Sequence, residues 1–293
     1  MTSAPDRLLR RLEWRLGRRL DGRLQGAYRT VWHGTGLDFT DLRAYTAEDD
    51  VRHIDWNVTA RLDEPYVRQY TEDRELTAWL VVDRSASMRV GARGKESVAA
   101  DLSVSLARLV SQGGNRVGAI LFDNDAQRVI PPRGGRDQIL RIAAELIKAD
   151  GAAAGQTTDI TRMLTFAAAT TKQRRSLVFL VSDFIGDPGW EKALAMLTHR
   201  HEVVVVRVVD PAELELPDVG LVLVEDAETG EQILVDTGDP MLRRRLAEEV
   251  DGRESLITTA MHRAGVAAHR ITTDADLLDA LVSMTRQSGR VRR

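Results

Sequence analysis

The chain has 293 residues, of which 43% are hydrophobic and 29% are charged, and its formal net charge is −3. This length and composition predict a globular protein with a substantial core, either one large domain or two modest ones. The absence of cysteine excludes disulfide frameworks and thiolate metal sites, and the small net charge gives no reason to expect a nucleic-acid partner.

The first stretch with a clear pattern, residues 6–24, is rich in arginine and has leucine at every fourth position. This spacing predicts an amphipathic helix with one apolar stripe. Three interpretations stay open: the stripe packs on the rest of the protein, contacts an anionic membrane surface, or binds an acidic partner. No apolar run approaches the ~18 to 20 residues that span a bilayer and no signal-peptide core is present, so we expect a cytoplasmic protein.

The next segment, residues 34–61, is dense in carboxylates, arginines and aromatic rings. Bidentate Arg–carboxylate pairs hold irregular backbone together, so we expect most of these side chains to fix the segment onto the sheet domain. The alternative is that some of them form a surface for docking a partner. The residues in question are Asp41, Arg43, Tyr45, Asp49, Asp50, Arg52, Asp55 and Trp56.

This segment resembles the conserved block of the DUF58 proteins. The resemblance lies in Gly34-Thr-Gly36, in Asp-Leu-Arg-x-Tyr from Asp41 and in Arg-x-Ile-Asp-Trp from Arg52, with departures at Asp38 and at Ala47-Glu48. DUF58 proteins are bacterial chains that carry a von Willebrand factor A-like domain and usually accompany MoxR-type AAA+ ATPases. The resemblance implies a helical and irregular N-terminal segment over residues 1–75 and a von Willebrand A-like domain over residues 76–290.

The apolar run Trp79-Leu-Val-Val82 ends in Asp83-Arg-Ser85-Ala-Ser87. One carboxylate and two hydroxyls in a tight turn suit Mg²⁺, which takes oxygen ligands, better than Zn²⁺, which prefers His and Cys. The alternative is that these oxygens only cap the next helix.

The rest of the chain alternates between strand and helix patterns, with a hairpin predicted where residues 219–225 and 232–236 flank a turn containing Gly230. Such alternation predicts an α/β fold with a mostly parallel sheet and helices on both faces. A second apolar run, residues 177–181, ends in Ser182-Asp183. Because ligands collect at the carboxyl ends of neighbouring parallel strands, we expect Asp83 and Asp183 to meet there.

Together with the Thr158-Asp-Ile run, these residues resemble the metal-ion-dependent adhesion site of von Willebrand factor A domains. Gln156-Thr157 departs from the glycines that are usual at that place, and Thr158 fits the pattern better than Thr157. The resemblance implies Mg²⁺, or Mn²⁺ or Ca²⁺, as the bound ion. The ligands that it implies are Asp83, Ser85, Ser87, Thr158 and Asp183.

A metal held largely by neutral hydroxyls keeps much of its positive charge and attracts an acidic residue of a partner. The chain is therefore expected to be a metal-dependent protein-interaction module rather than an enzyme. The resemblance to the DUF58 proteins implies that it works with a MoxR-type AAA+ ATPase in chaperone-like maturation or activation of client proteins. Two alternatives stay open. One is a Mg²⁺-dependent hydrolase with Asp123 or Asp159 as its base, and the other is a metal-free scaffold.

Overall fold

The computed structural model describes residues 35–46, 49–62, 64–73, 76–89, 94–123, 125–148, 159–171, 175–225 and 231–288. The described residues divide into two compact units, one ending at Leu76 and the other starting at Thr77. The basic helix predicted over residues 6–24 and the candidate ligand Thr158 lie outside the described residues. None of the helices that are described has the length and apolar character needed to cross a membrane.

The smaller unit contains an antiparallel ribbon of β1 (Thr35–Ala44) and β2 (Tyr66–Asp73), with helix α1 (Trp56–Leu62) between them in sequence. The sequence predicts this segment to be irregular, and the ribbon corrects that expectation. The reason is a register shift between Phe39 and Asp41, which interrupts the alternation of side chains by which a strand is recognised.

The larger unit is built on a six-stranded sheet with the strand order β10-β7-β6-β3-β4-β5. All neighbouring strands are parallel except β5, which is an antiparallel edge strand beside β4. The predicted α/β fold with a mostly parallel sheet is thus confirmed. The strands are β3 (Thr77–Asp83), β4 (Arg116–Asp123), β5 (Asp125–Arg133), β6 (Leu177–Ser182), β7 (Glu202–Val209) and, after the hairpin described below, β10 (Ala267–Thr272).

Helices cover both faces of this sheet. Alternate residues of β3, β4, β6 and β7 pack on three of the helices in one apolar core that includes Val81, Leu180 and Trp190. Because both faces are covered, β3 and β6 are buried along nearly their whole length and read as continuous apolar runs. The helices are α2 (Lys95–Gln112), α3 (Arg136–Ile147), α4 (Ile160–Thr170), α5 (Glu191–Arg200), α6 (Pro240–Arg263) and α7 (Leu277–Ser288).

The predicted hairpin is present as β8 (Leu221–Glu225) paired with β9 (Gln232–Asp236). It forms a separate two-stranded sheet and adds no strand to the six-stranded one. The hairpin follows a short 3-10 turn, Pro211–Glu213, and precedes α6.

Gly118 on β4 lies where no larger residue fits, and this gives a direct test of the sheet packing. A Cβ atom added there would be 2.9 Å from the Ile130 carbonyl oxygen and 2.9 Å from two ring carbons of Trp79. We expect Gly118→Ala to lower the free energy of unfolding by about 1–3 kcal/mol, measured by urea denaturation.

The matched control is Gly252→Ala on α6, where an added Cβ meets no atom within 4 Å. Alanine is the better helix former, so this change should raise stability by about 0.5–1 kcal/mol. Equal unfolding midpoints for Gly118→Ala and the wild type would contradict the described packing of β4.

Candidate metal centre

The two central strands, β3 and β6, end at the same edge of the sheet, and the predicted site residues lie at that edge. In the parallel pairing of β3 with β6, Val82 lies opposite Val181, so Asp83 and Ser182 end the two strands side by side. The side chains of Asp83 and Asp183 are 0% and 1% exposed. The two carboxyl groups that the sequence places at strand ends therefore lie in one buried region.

Asp83 is held by hydrogen bonds from both strands. Its Oδ1 accepts from the backbone N–H of Ser85 at 2.9 Å, and its Oδ2 accepts from the Ser182 hydroxyl at 2.6 Å. Burial, and next the nearby charge of Asp183, raise the pKa of Asp83 to about 7, although these hydrogen bonds oppose the shift. The Ser85 and Ser87 hydroxyl oxygens lie 3.0 Å apart in the following turn, so three oxygen-bearing side chains converge there.

Asp183 already has a cationic partner, which is Lys95 at the start of α2. Its Oδ2 accepts from Lys95 Nζ at 2.7 Å, and its Oδ1 accepts from the backbone N–H of Ile185 at 2.9 Å. The same ammonium donates to Glu213 Oε1 at 2.6 Å, and Lys95 itself is completely buried. The three side chains form a buried cluster with two carboxylates and one ammonium.

The sequence reasoning missed Lys95, Glu213 and Ser182. Only four of the 41 basic residues are lysines, but Lys148 and Lys192 are exposed, so the residue type alone does not single out Lys95. Glu213 lies in the turn after β7, and no sequence pattern marks it either.

The loop that carries Asp183 contains a residue with strained backbone, and several contacts hold this loop in place. Phe184 has a φ of 58°, which is unusual for a residue with a large side chain. Its N–H donates to the Ser182 hydroxyl at 3.0 Å, and its ring packs edge-on against Trp190 with 5.3 Å between the centroids. Arg207, paired with Glu254 at 2.6 Å, donates to the Asp183 carbonyl at 3.3 Å. These contacts hold the end of β6 in position.

The donor set suits a hard cation. Among the described residues no three His, Cys, Asp or Glu side chains come together as a metal site, so a metal would have to use the serine hydroxyls with Asp83 and Asp183. Two buried carboxyl groups whose charges raise each other's energy are stabilised by a cation between them. Oxygen donors of this kind fit Mg²⁺ or Mn²⁺.

The two residues considered as a hydrolytic base lie in different surroundings. Asp159 caps α4 by accepting from the N–H of Arg162 at 2.8 Å, and it is exposed. Asp123 is buried at the end of β4, with its Oδ2 at 3.9 Å from the Arg89 guanidinium. Asp159 thus has a structural role as a helix cap, whereas Asp123 lies on the strand next to β3.

In the smaller unit, the charged residues of the 34–61 segment largely stabilise local backbone. Arg43 donates to Asp49 at 2.8 Å, and this bond, together with those from Thr46, lowers the pKa of Asp49 to about 2. Arg52 and Asp50 form an exposed ion pair at 2.7 Å.

Asp55 and Trp56 differ in their roles. Asp55 is buried and caps α1 by accepting from the N–H of Asn57 at 3.0 Å. For Tyr45, the backbone N–H donates to the Pro65 carbonyl at 2.8 Å. Trp56 is 68% exposed, so its ring is available to a partner. For Asp41 the structure describes the backbone only, which pairs with Gln69.

Comparison with solved structures gives neighbours of low sequence identity. BatB from Bacteroides thetaiotaomicron matches with a TM-score of 0.44 and 16% identity, covering 73% of this chain and 99% of BatB. Manganese-loaded TRAP of Plasmodium vivax gives 0.36 and 19%, covering 45% and 57%. The vWF domain of the pilus tip protein Mfa5 of Porphyromonas gingivalis gives 0.30 and 13%, covering 72% and 86%.

Sequence comparison is more specific. The uncharacterized protein Rv1480 of Mycobacterium tuberculosis is 35% identical over 276 residues, which cover 94% of this chain and 86% of that protein. The model of the family described as "Protein of unknown function DUF58" matches residues 41–255, well over half of the chain. The chain belongs to the DUF58 family.

Proposed function

We propose that Asp83, Ser85, Ser87 and Asp183 bind a divalent cation, Mg²⁺ or a close substitute such as Mn²⁺ or Ca²⁺. The observation that carries the proposal is the buried meeting of two carboxyl groups and two serine hydroxyls at the carboxyl ends of adjacent strands. Thr158 completes the set of ligands in this proposal. The metal would supply a positive charge that an acidic group can approach.

The chain is then a metal-dependent protein-interaction module. We infer that the protein side chains leave an open position in the coordination shell of the cation, and that a carboxylate of a partner protein fills it. We infer that the partners are a MoxR-type AAA+ ATPase and the client proteins whose maturation or activation the pair assists. The exposed Trp56 gives the smaller unit an aromatic contact for the same purpose.

Lys95 gives this site two states. The Lys95 ammonium pairs at 2.7 Å with Asp183, which is also a proposed metal ligand. A divalent cation and an ammonium that share one buried carboxylate repel each other strongly. Metal binding therefore requires Lys95 to give up at least part of its bond with Asp183.

The raised pKa of Asp83 predicts a specific pH dependence for the metal-free protein. Between the unfolded pKa, about 3.9, and the folded pKa, about 7, the folded state binds one more proton, so its stability falls as pH rises. We expect the wild type to lose about 1–2 kcal/mol more than Asp83→Asn between pH 5.5 and pH 8. Urea denaturation in chelator at both pH values measures this, and parallel pH profiles for the two proteins would contradict it.

Metal binding itself is tested by calorimetric titration of Mn²⁺ and Mg²⁺ into chelator-treated protein at pH 8, where Asp83 is ionised. Asp83→Ala should abolish saturable binding, and the double change Ser85→Ala/Ser87→Ala should weaken it at least tenfold, or about 1.4 kcal/mol. The control is Ser105→Ala, since Ser105 is also a buried serine but donates to the Asp101 carbonyl within α2.

The partner assignment needs a second readout with the same proteins. The cognate MoxR-type ATPase should be captured by the wild type with Mn²⁺ and by neither the chelated protein nor Asp83→Ala. Metal-dependent turnover of a phosphate ester that is lost in Asp123→Asn would instead establish the hydrolase. No heat from the wild type with either metal would leave the metal-free scaffold.

Removing Lys95 tests the competition. Lys95→Met should bind Mn²⁺ at least tenfold more tightly than the wild type, because Asp183 is then free to bind the metal. Its metal-free form should be less stable by about 3–5 kcal/mol, since Asp183 and Glu213 are left without their cation. Lys95→Met/Glu213→Gln removes part of that penalty, and Lys192→Met, at an exposed lysine, is the control. Equal Mn²⁺ affinities for Lys95→Met and the wild type would refute competition while leaving the metal site standing.

A further inference from the structure

The β8–β9 hairpin carries aliphatic side chains that the described chain leaves uncovered. Leu221, Leu223 and Leu234 are 68%, 62% and 65% exposed. Leu223 lies directly opposite Leu234, and Leu221 is two residues before Leu223, so all three project from the same face of the hairpin. We call this face the leucine surface.

Hydrogen bonds and an ion pair hold the residues at the two ends of the hairpin in place. The Thr237 hydroxyl donates to the Gly220 carbonyl at 2.7 Å, and Arg243 of α6 donates to the Thr237 carbonyl at 2.7 Å and pairs with Asp218 at 2.8 Å. An isolated two-stranded sheet is only marginally stable by itself. A hairpin that is fixed at its base and apolar on its outer face gains stability when a partner covers it.

The charge around the leucine surface limits what that partner can be. The described residues 214–225 and 231–242 contain no Lys, Arg or His, and five carboxylates whose side chains are described lie among them. An anionic lipid surface would be repelled by this charge. Two copies of the same face brought together would also repel each other, because a two-fold interface places like charges near one another. The occupant that fits is apolar along one side and basic beside it. The five carboxylates belong to Glu215, Asp218, Glu231, Asp236 and Asp239.

We propose that the leucine surface binds a basic amphipathic segment of a partner protein. Leucines or other aliphatic residues on one side of that segment cover Leu221, Leu223 and Leu234, and its arginines or lysines pair with the surrounding carboxylates. The leucine surface lies on a sheet separate from the one that carries Asp83 and Asp183, and the proposal involves no metal ligand.

The experiment uses the full chain with Leu223 replaced by the photo-crosslinking residue p-benzoylphenylalanine. The probe is a labelled synthetic amphipathic peptide whose sequence does not occur in this chain, with leucine at every fourth position and arginine at most positions between. We expect a peptide adduct whose yield falls at least fivefold when Leu234→Ser is added or when NaCl is raised from 50 to 500 mM. The adduct should form equally well in chelator and in Mn²⁺. The matched control carries the crosslinker at Leu256, which is 74% exposed on α6.

Four outcomes would overturn the proposal. Equal crosslinking of a peptide in which every arginine is replaced by glutamate would remove the role of charge. Crosslinks between two hairpins would identify a second copy as the occupant. Crosslinks to the chain's own residues 6–24 would show that the surface is filled from within. Protection of position 223 by anionic vesicles, with no peptide adduct, would identify a membrane surface.

Discussion

The parallel pairing of β3 with β6 is the constraint on which the site depends. Because the two strands run parallel, their carboxyl ends meet at the same edge of the sheet. β3 ends at Asp83, and Asp183 directly follows the end of β6. Because water is largely excluded there, neither Asp83 nor Asp183 can be solvated in its charged form. A positive charge nearby therefore stabilises the ionised carboxylates, and Lys95 supplies one to Asp183.

The site residues that are predictable from sequence are those that directly follow an apolar strand pattern. Asp83, Ser85 and Ser87 follow an apolar run directly, and Asp183 follows another, so strand ends alone place them together. Lys95 and Glu213 have no such signal, since they are separated from their partners by 88 and 118 residues and meet through tertiary packing alone.

The fold shows the same division between local pattern and tertiary context. The β8–β9 hairpin was predictable because apolar runs flank a glycine-containing turn, but its exposure was not, since apolar alternation ordinarily indicates a half-buried face. The β1–β2 ribbon was missed because the register shift after Phe39 hides the period of two on which the prediction of a strand depends.

The Lys95 cluster adds a side-chain link between the start of α2, the end of β6 and the turn after β7. Buried ion pairs are often no more stabilising than apolar side chains of the same size. The consequence of this cluster is instead that the proposed metal cation can replace the Lys95 ammonium beside Asp183. Lys95 holds Asp183 at the end of β6 and also Glu213 in the turn that leads to β8. A cation that took over Asp183 would leave Lys95 bonded to Glu213 alone, changing the support of that turn. The proposed metal changes the position of Lys95 only to the extent that it binds Asp183 more strongly once the ammonium is displaced.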